Sequence, residues 1–226
     1  MKNSIIFFAL IFIVSCGKEK NVLLPEIGHS KISKIHDISA AYLFYNPQQP
    51  DSVEFNRKNL IGSTNWLVNV DKRLSLKQAI PYIQFLQDKR RNAQLHKNEN
   101  AKNYFSCNDT TQNNLGFLEF TDVFYQNTTP DTLKLNHLGL LKNTKSVNFS
   151  KNGDIFIINP NGNPFVKKTN KSQLINDLKK LDSTNTLITL RFNKHLFFQD
   201  YVSFKSLLTD ADFKHLEISN QEFLDN

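Results

Sequence analysis

Apolar positions in this chain switch between two periods. From Thr64, "TNWLVNVD" sets Trp66, Val68 and Val70 at every second residue, which predicts a strand. Beyond Asp71 the spacing becomes helical. Ser75 and Gln78 form a capping box, and Ala79, Ile80, Ile83 and Leu86 follow on one face. Pro81 conflicts with the interior of a helix, so the regular part is expected to begin there, with Pro81 as its first residue. Near the C-terminus "TLITLRF" again reads as a strand and "FFQDYVSFKSLL" as a helix. Between these lie "HDISAAYLFYN" as the first strand, ended by "NPQQPDS", and "GFLEFTDVFY" as a single strand. "DIFIINPNG" is an apolar strand with an Asn-Gly turn, and "HLEIS" is the last strand. "SQLINDLKKLD" is a helix capped by Ser172, with Leu174, Ile175, Leu178 and Leu181 on one face. "QDKRRNAQLHKNENAKN" reads as a solvated helix end and loop. The mixed order predicts an α+β fold.

The two strand-turn-helix passages align. Setting Asp71 on Asn193 (193 − 71 = 122) brings Lys72 onto Lys194, Leu74 onto Leu196, Leu76 onto Phe198, Ile80 onto Val202 and Leu86 onto Leu208. Upstream, Trp66, Val68 and Val70 fall on Ile188, Leu190 and Phe192, so the buried phase of the strand is kept. "FLEFTD" from Phe117 aligns with "HLEISN" from His215 at a shorter offset (215 − 117 = 98). The difference (122 − 98 = 24) predicts an insertion of 24 residues in the first copy, containing "NYFSC". These passages predict an internal duplication.

The repeated unit, most clearly from about Ser146 onward, resembles the periplasmic domain of the ExbD/TolR family. "VNFSKNGDIFIINPNG" is similar to that family's opening hairpin, "SQLINDLKKL" to its first helix, and "TLITLRFNKHLFFQDYVSFKSLL" to its strand and second helix. The first half matches only around Thr64 to Leu86. The resemblance implies one or two small β-α-β-α-β modules with a tendency to pair. The family's transmembrane helix with its proton-handling aspartate has no counterpart here, so no energy-coupling role is carried over.

At the N-terminus, Lys2 precedes the apolar run "SIIFFALIFIV", which is far shorter than the ~20 residues that span a bilayer. "IVSC", with Cys16 followed by Gly17, resembles the lipobox of bacterial lipoproteins. That resemblance implies cleavage before Cys16, lipidation of Cys16 and anchoring through its acyl chains. The same resemblance implies the outer membrane over the inner one, because Gly17, not Asp, follows the cysteine. The expected organisation is a signal peptide over 1–15, a lipidated tether over 16–35 and a first α+β module over 36–125. A linker over 126–145 and a second, ExbD-like module over 146–226 complete it.

Composition alters this picture little. The formal charge of +7 rides on a Lys- and Asn-rich alphabet, so no nucleic-acid partner is expected. Lys167, Lys168, Lys171, Lys179 and Lys180 form a candidate polyanion-binding cluster. A tripeptide of Asp, Ser or Thr, then an aliphatic residue or Thr is similar to an O-glycosylation sequon of some Gram-negative envelope proteins. It marks Ser52, Thr110, Thr132 and Ser183, although Asp-Ser and Asp-Thr are also ordinary turn pairs.

The six histidines are scattered without ligand spacing, and no phosphate loop, dinucleotide fingerprint or nucleophile elbow is present, so no metal or cofactor is expected. Cys107 lacks a His or Asn partner pattern and reads as a half-buried strand residue. Asp71 and Asn193 read as turn residues. The expectation is a non-catalytic cell-envelope lipoprotein. It would be anchored to the membrane and act through an envelope protein partner or self-association. The alternative is a surface lipoprotein that binds glycan or another anionic polymer.

Overall fold

A computed structural model describes residues 20–93, 98–127, 144–183 and 186–226. In chain order its elements are β1 (Glu26–Ile27), β2 (Ile38–Tyr45), β3 (Val53–Asn56), β4 (Asn65–Val70), α1 (Leu76–Arg91), β5 (Asn103–Asp109), β6 (Asn114–Glu119) and β7 (Phe124–Asn127). There follow β8 (Thr144–Phe149), β9 (Ile155–Ile158), β10 (Val166–Thr169), α2 (Leu174–Lys179), β11 (Thr186–Asn193), α3 (Phe198–Asp210) and β12 (Leu216–Asp225).

The strands form two mixed sheets, and both contain the same frame. In the first, the hairpin β2-β3 lies beside β4, parallel to β2, and β5 lies parallel to β4 after the α1 crossover. In the second, the hairpin β8-β9 lies beside β11, parallel to β8, and β12 lies parallel to β11 after the α3 crossover. The halves differ at their margins. β6 runs antiparallel along β5, and β1 joins β5 at Asn108 and Asp109, beyond the β4 pairing. In the second sheet β10 extends the hairpin and β7 lies parallel to β12.

The offset of 122 therefore joins equivalent positions from β4 through α1 to β11 through α3, but the second alignment needs correction. "NYFSC" is not part of an insertion: it lies in β5, the counterpart of β12. Phe117 belongs to β6, which pairs back on β5. "GFLEFTDVFY" is also two strands, and its second half, β7, joins the sheet of the other module across the boundary expected at 125. Most of the expected linker, 128–143, lies outside the described residues.

Burial explains the local readings. Helix α1 packs Ala79, Ile80, Ile83 and Leu86 on the first sheet, as their spacing requires, but it starts at Leu76 and runs through Pro81. Gln78 Oε1 accepts the Ser75 backbone N–H at 2.9 Å, which ties the helix start ahead of the proline. For α2, Asn170 does the work expected of Ser172: its Oδ1 accepts the Gln173 N–H at 3.1 Å and the Ser172 hydroxyl at 2.6 Å. One core joins both halves. Phe105 of β5 stacks on Phe120 at 3.8 Å between ring centres and meets Phe198 of α3 edge-on at 5.1 Å.

The stretch read as a tether is part of the fold from Leu23 onward. Leu23 O accepts the Lys72 N–H at 2.8 Å, β1 pairs with β5, and Ile32 O accepts the Phe117 N–H at 3.0 Å. Ile32 and Ile35 then cover Leu67, Tyr104 and Phe117 on the face of the first sheet away from α1. Among the described residues no helix is long and apolar enough to cross a membrane.

Candidate interaction groove at the junction of the two halves

The repeated turns meet each other. Each begins with an Asx turn: Asp71 Oδ1 accepts the Arg73 N–H at 3.1 Å, and Asn193 Oδ1 accepts the His195 N–H at 2.9 Å. Each then closes through its own carbonyl, Leu74 N to Asp71 O at 3.1 Å and Leu196 N to Asn193 O at 2.9 Å. Between the turns the backbone bonds are reciprocal. Leu76 N donates to Leu196 O at 2.9 Å while Phe198 N donates to Leu74 O at 2.7 Å. Lys77 N donates to Lys194 O at 2.7 Å while Gln199 N donates to Lys72 O at 3.3 Å. Under the 122-residue offset each bond maps onto its partner, which defines a local two-fold axis beside the Ser75–Phe197 bridge.

Side chains break this symmetry. Arg73 grips the fully buried Asp71 through two bonds, Nε to Oδ1 at 2.8 Å and Nη2 to Oδ2 at 2.7 Å, and its guanidinium lies 4.7 Å over the Tyr45 ring. Burial opposes the charge of Asp71. The Arg73 side chain and the backbone N–H groups of Arg73 and Leu23 outweigh it and hold the carboxyl below its ordinary value. The equivalent side chains in the second turn are Asn193 and His195. Phe197, 56% exposed, occupies the place of the capping Ser75.

A groove of two adjoining lobes opens over this junction, with Ser52 and Gln78 lining both. One lobe, about 600 Å³, is bounded by Asp51, Ser75, Tyr82 and His195. The other, about 580 Å³, is bounded by Tyr45, Arg73, Phe197, Gln199 and Asp200. Many of the polar groups on the walls already bond to the protein. Tyr82 donates to Asp51 at 2.5 Å, Gln78 Nε2 donates to Asp51 O at 2.8 Å, and Gln199 exchanges two bonds with the Glu26 backbone at 2.9 and 3.0 Å. Burial raises Asp51, but the Tyr82 hydroxyl and the Val53 N–H bring it below the ordinary carboxylate value. Burial pushes Asp200 up, partly offset by Lys171. The groove can therefore offer aromatic surface, one ordered guanidinium and a desolvated carboxylate.

Among the described residues no group of three His, Cys, Asp or Glu side chains is placed to hold a metal ion. Cys107 is fully buried, not half-buried, because both faces of β5 are covered, and burial pushes its thiol up to about 12.

The turn and cap residues Asp71, Asn193, Ser75 and Gln78 meet here, but of the sites marked for modification or polyanion binding only Ser52 lines the groove among the described residues. Cys16 and Thr132 lie outside the described residues. Thr110 donates its hydroxyl to Ile27 O at 3.0 Å, and the Ser183 and Thr186 hydroxyls are 2.9 Å apart. Their preceding aspartates are used structurally: Asp51 holds a turn by accepting the Val53 N–H, Asp109 accepts those of Ser30, Thr111 and Gln112, and Asp182 accepts those of Lys214, His215 and Leu216 at the start of β12. Lys167 and Lys180 both pair with Asp177, at 2.6 and 3.4 Å, and Lys168 pairs with Asp154 at 2.8 Å. Lys171 bonds the Ser203 hydroxyl, and Lys179 is exposed at the end of α2. The groove aromatics Tyr45 and Phe197 were missed. Their signal was an aromatic residue at the boundary of an element, where alternation and helical spacing both lapse. No family model, curated protein or solved structure matches the chain.

Proposed function

We propose that this chain is a non-catalytic cell-envelope lipoprotein, held at the membrane by a lipid on Cys16 and working by protein-protein contact. In this reading it is built from two ExbD/TolR-like modules paired within one chain. The outer membrane is its site, as Gly17 after the cysteine favours. The observation that carries the contact role is the junction groove, where Phe197 and Tyr45 stand exposed beside the stacked Arg73 on a backbone fixed by four reciprocal bonds. Aromatic and arginine side chains on a rigid frame are the types that dominate binding energy at protein interfaces. A polyanion-binding face would instead draw on lysines whose charge is largely met by Asp154 and Asp177.

A photocrosslinking residue at Phe197, compared in cells with one at the equally exposed Phe165, tests the contact role. One discrete adduct from position 197, lost when Tyr45→Ala is added, supports it. Equal or diffuse adducts from both positions, with the purified chain monomeric, overturn it. The anchor has its own test. A Cys16→Ala chain should be released in soluble form, and one that stays with the membrane contradicts lipid anchoring.

A further inference from the structure

The lipid anchor would leave the fold at one definable place. Lys20, the first described residue, pairs with Glu54 of β3. Three residues separate it from Cys16 in sequence, so four residue steps of ~3.3–3.6 Å allow at most about 14 Å between them. The surface around β3 must then lie close to the bilayer that holds the acyl chains.

That surface has the chemistry of a membrane interface. β3 ends its sheet, and aromatic rings flank it on both sides. Phe44, directly opposite Glu54 in the β2-β3 pairing, stacks on Tyr42 with ring centres 5.6 Å apart. On the helix side Phe55 meets Phe85 of α1 edge-on at 6.2 Å. Phe85 is 45% exposed and carries the Arg57 guanidinium 4.7 Å above its ring. An aromatic ring capped by a guanidinium suits the boundary between acyl chains and headgroups. The ring takes the apolar side and the cation meets anionic lipid phosphate.

We infer that the β3 edge of the first module, with Phe55, Phe85 and Arg57 at its centre, is the face this protein lays on an anionic phospholipid surface. The inference rests on lipidation at Cys16. It orients the chain: the first module lies against the bilayer, and the β9-β10 edge of the second module, its counterpart across the local two-fold, points elsewhere.

The test uses the full lipidated chain in vesicles containing phosphatidylglycerol whose acyl chains carry bromine. Trp is introduced as Phe85→Trp or, on the opposite edge, as Phe165→Trp; Trp66 is buried and supplies the same background in both. Quenching at position 85 should exceed that at 165 several-fold, and Arg57→Gln should reduce it. A chain that floats with the vesicles but shows equal quenching at both positions, or stronger quenching at 165, overturns the orientation while the anchor stands. So does a dimer crosslinked through β3, which would make that edge a protein contact. Failure to float removes the anchor, and the inference with it.

Discussion

Equivalent positions in the two modules solve one packing problem in opposite ways. Where α1 has Ala79 and Ile83, α3 has Tyr201 and Lys205. Where β5 sets Phe105 opposite Val68, β12 sets Glu222 opposite Leu190. At these positions the first module fills the space between helix and sheet with hydrocarbon, its buried Gln87 and Arg90 lying nearer the end of α1. The second fills it with a polar chain: Tyr125 and Tyr201 hydroxyls 3.0 Å apart, Tyr201 donating to Glu222 at 2.9 Å, and Lys205 paired with Glu222 at 2.5 Å. Tyr125 comes from β7, the strand the first half lends to the second sheet. The network thus sits where the halves are tied together. Burial, and then the Glu222 charge, push both tyrosines well above their ordinary values, so they remain neutral donors. One frame accepts either solution, provided each buried charge keeps its partner.

Breaking that partnership should give the largest effect. Lys205→Met leaves the fully buried Glu222 unpaired and should cost about 3–5 kcal/mol by denaturant unfolding. Adding Glu222→Leu should recover most of that loss, because the double variant approaches the apolar solution of the first module. A double variant as unstable as the single one would mean that the network specifies the junction itself.

The turns give the next comparison. Asp71→Asn imports the residue of the second copy, keeping the acceptor for the Arg73 N–H but losing the charged grip on the guanidinium. A loss of about 1–2 kcal/mol is expected. The Asp71 carboxyl is held below its ordinary 3.8, so its contribution is complete above that value and fades as the pH falls through the folded-state value. The asparagine variant should lack this component of acid unfolding, and identical acid profiles would show that the grip adds nothing. Ile32→Ala, which thins the cover found on the first sheet, should cost about 1 kcal/mol because the side chain is only partly buried. Smallest is the reverse exchange, Asn193→Asp with His195→Arg, expected to change stability by less than about 0.5 kcal/mol because the new pair would form at a half-exposed turn.

Much of the frame could be read from the sequence. Trp66, Val68 and Val70 and their counterparts Ile188, Leu190 and Phe192 alternate visibly because each turns one face to the shared core. β5 was not legible: β4 too is buried on both faces, but Asn65 and Asn69 still mark its outer face as polar, whereas in "NYFSCND" apolar and polar residues fall on both faces. The brief edge strands β1, β3 and β10 have too few residues to show a period. The Asx turns at Asp71 and Asn193 were readable because they are local. Their pairing was not, since it depends on where two distant backbones meet. Nothing in the sequence marks Lys205 and Glu222, because charged residues in a helix and beyond the strand expected at "HLEIS" usually face water; β12 runs on to Asp225 and carries Glu222 in its interior.

The turn-to-turn contact has a consequence for directionality. Two separate identical chains meeting this way would have to assemble at each encounter, and symmetry would make both ends of their groove the same. Joined in one polypeptide, the halves meet at an effective concentration on the order of millimolar, and dilution does not part them. Their contact surfaces no longer have to match themselves. Ser75 faces Phe197, and Arg73 lines one lobe while its counterpart His195 lines the other, so one end of the groove differs from the other. A segment lying along it could be held in one orientation and refused in the reverse.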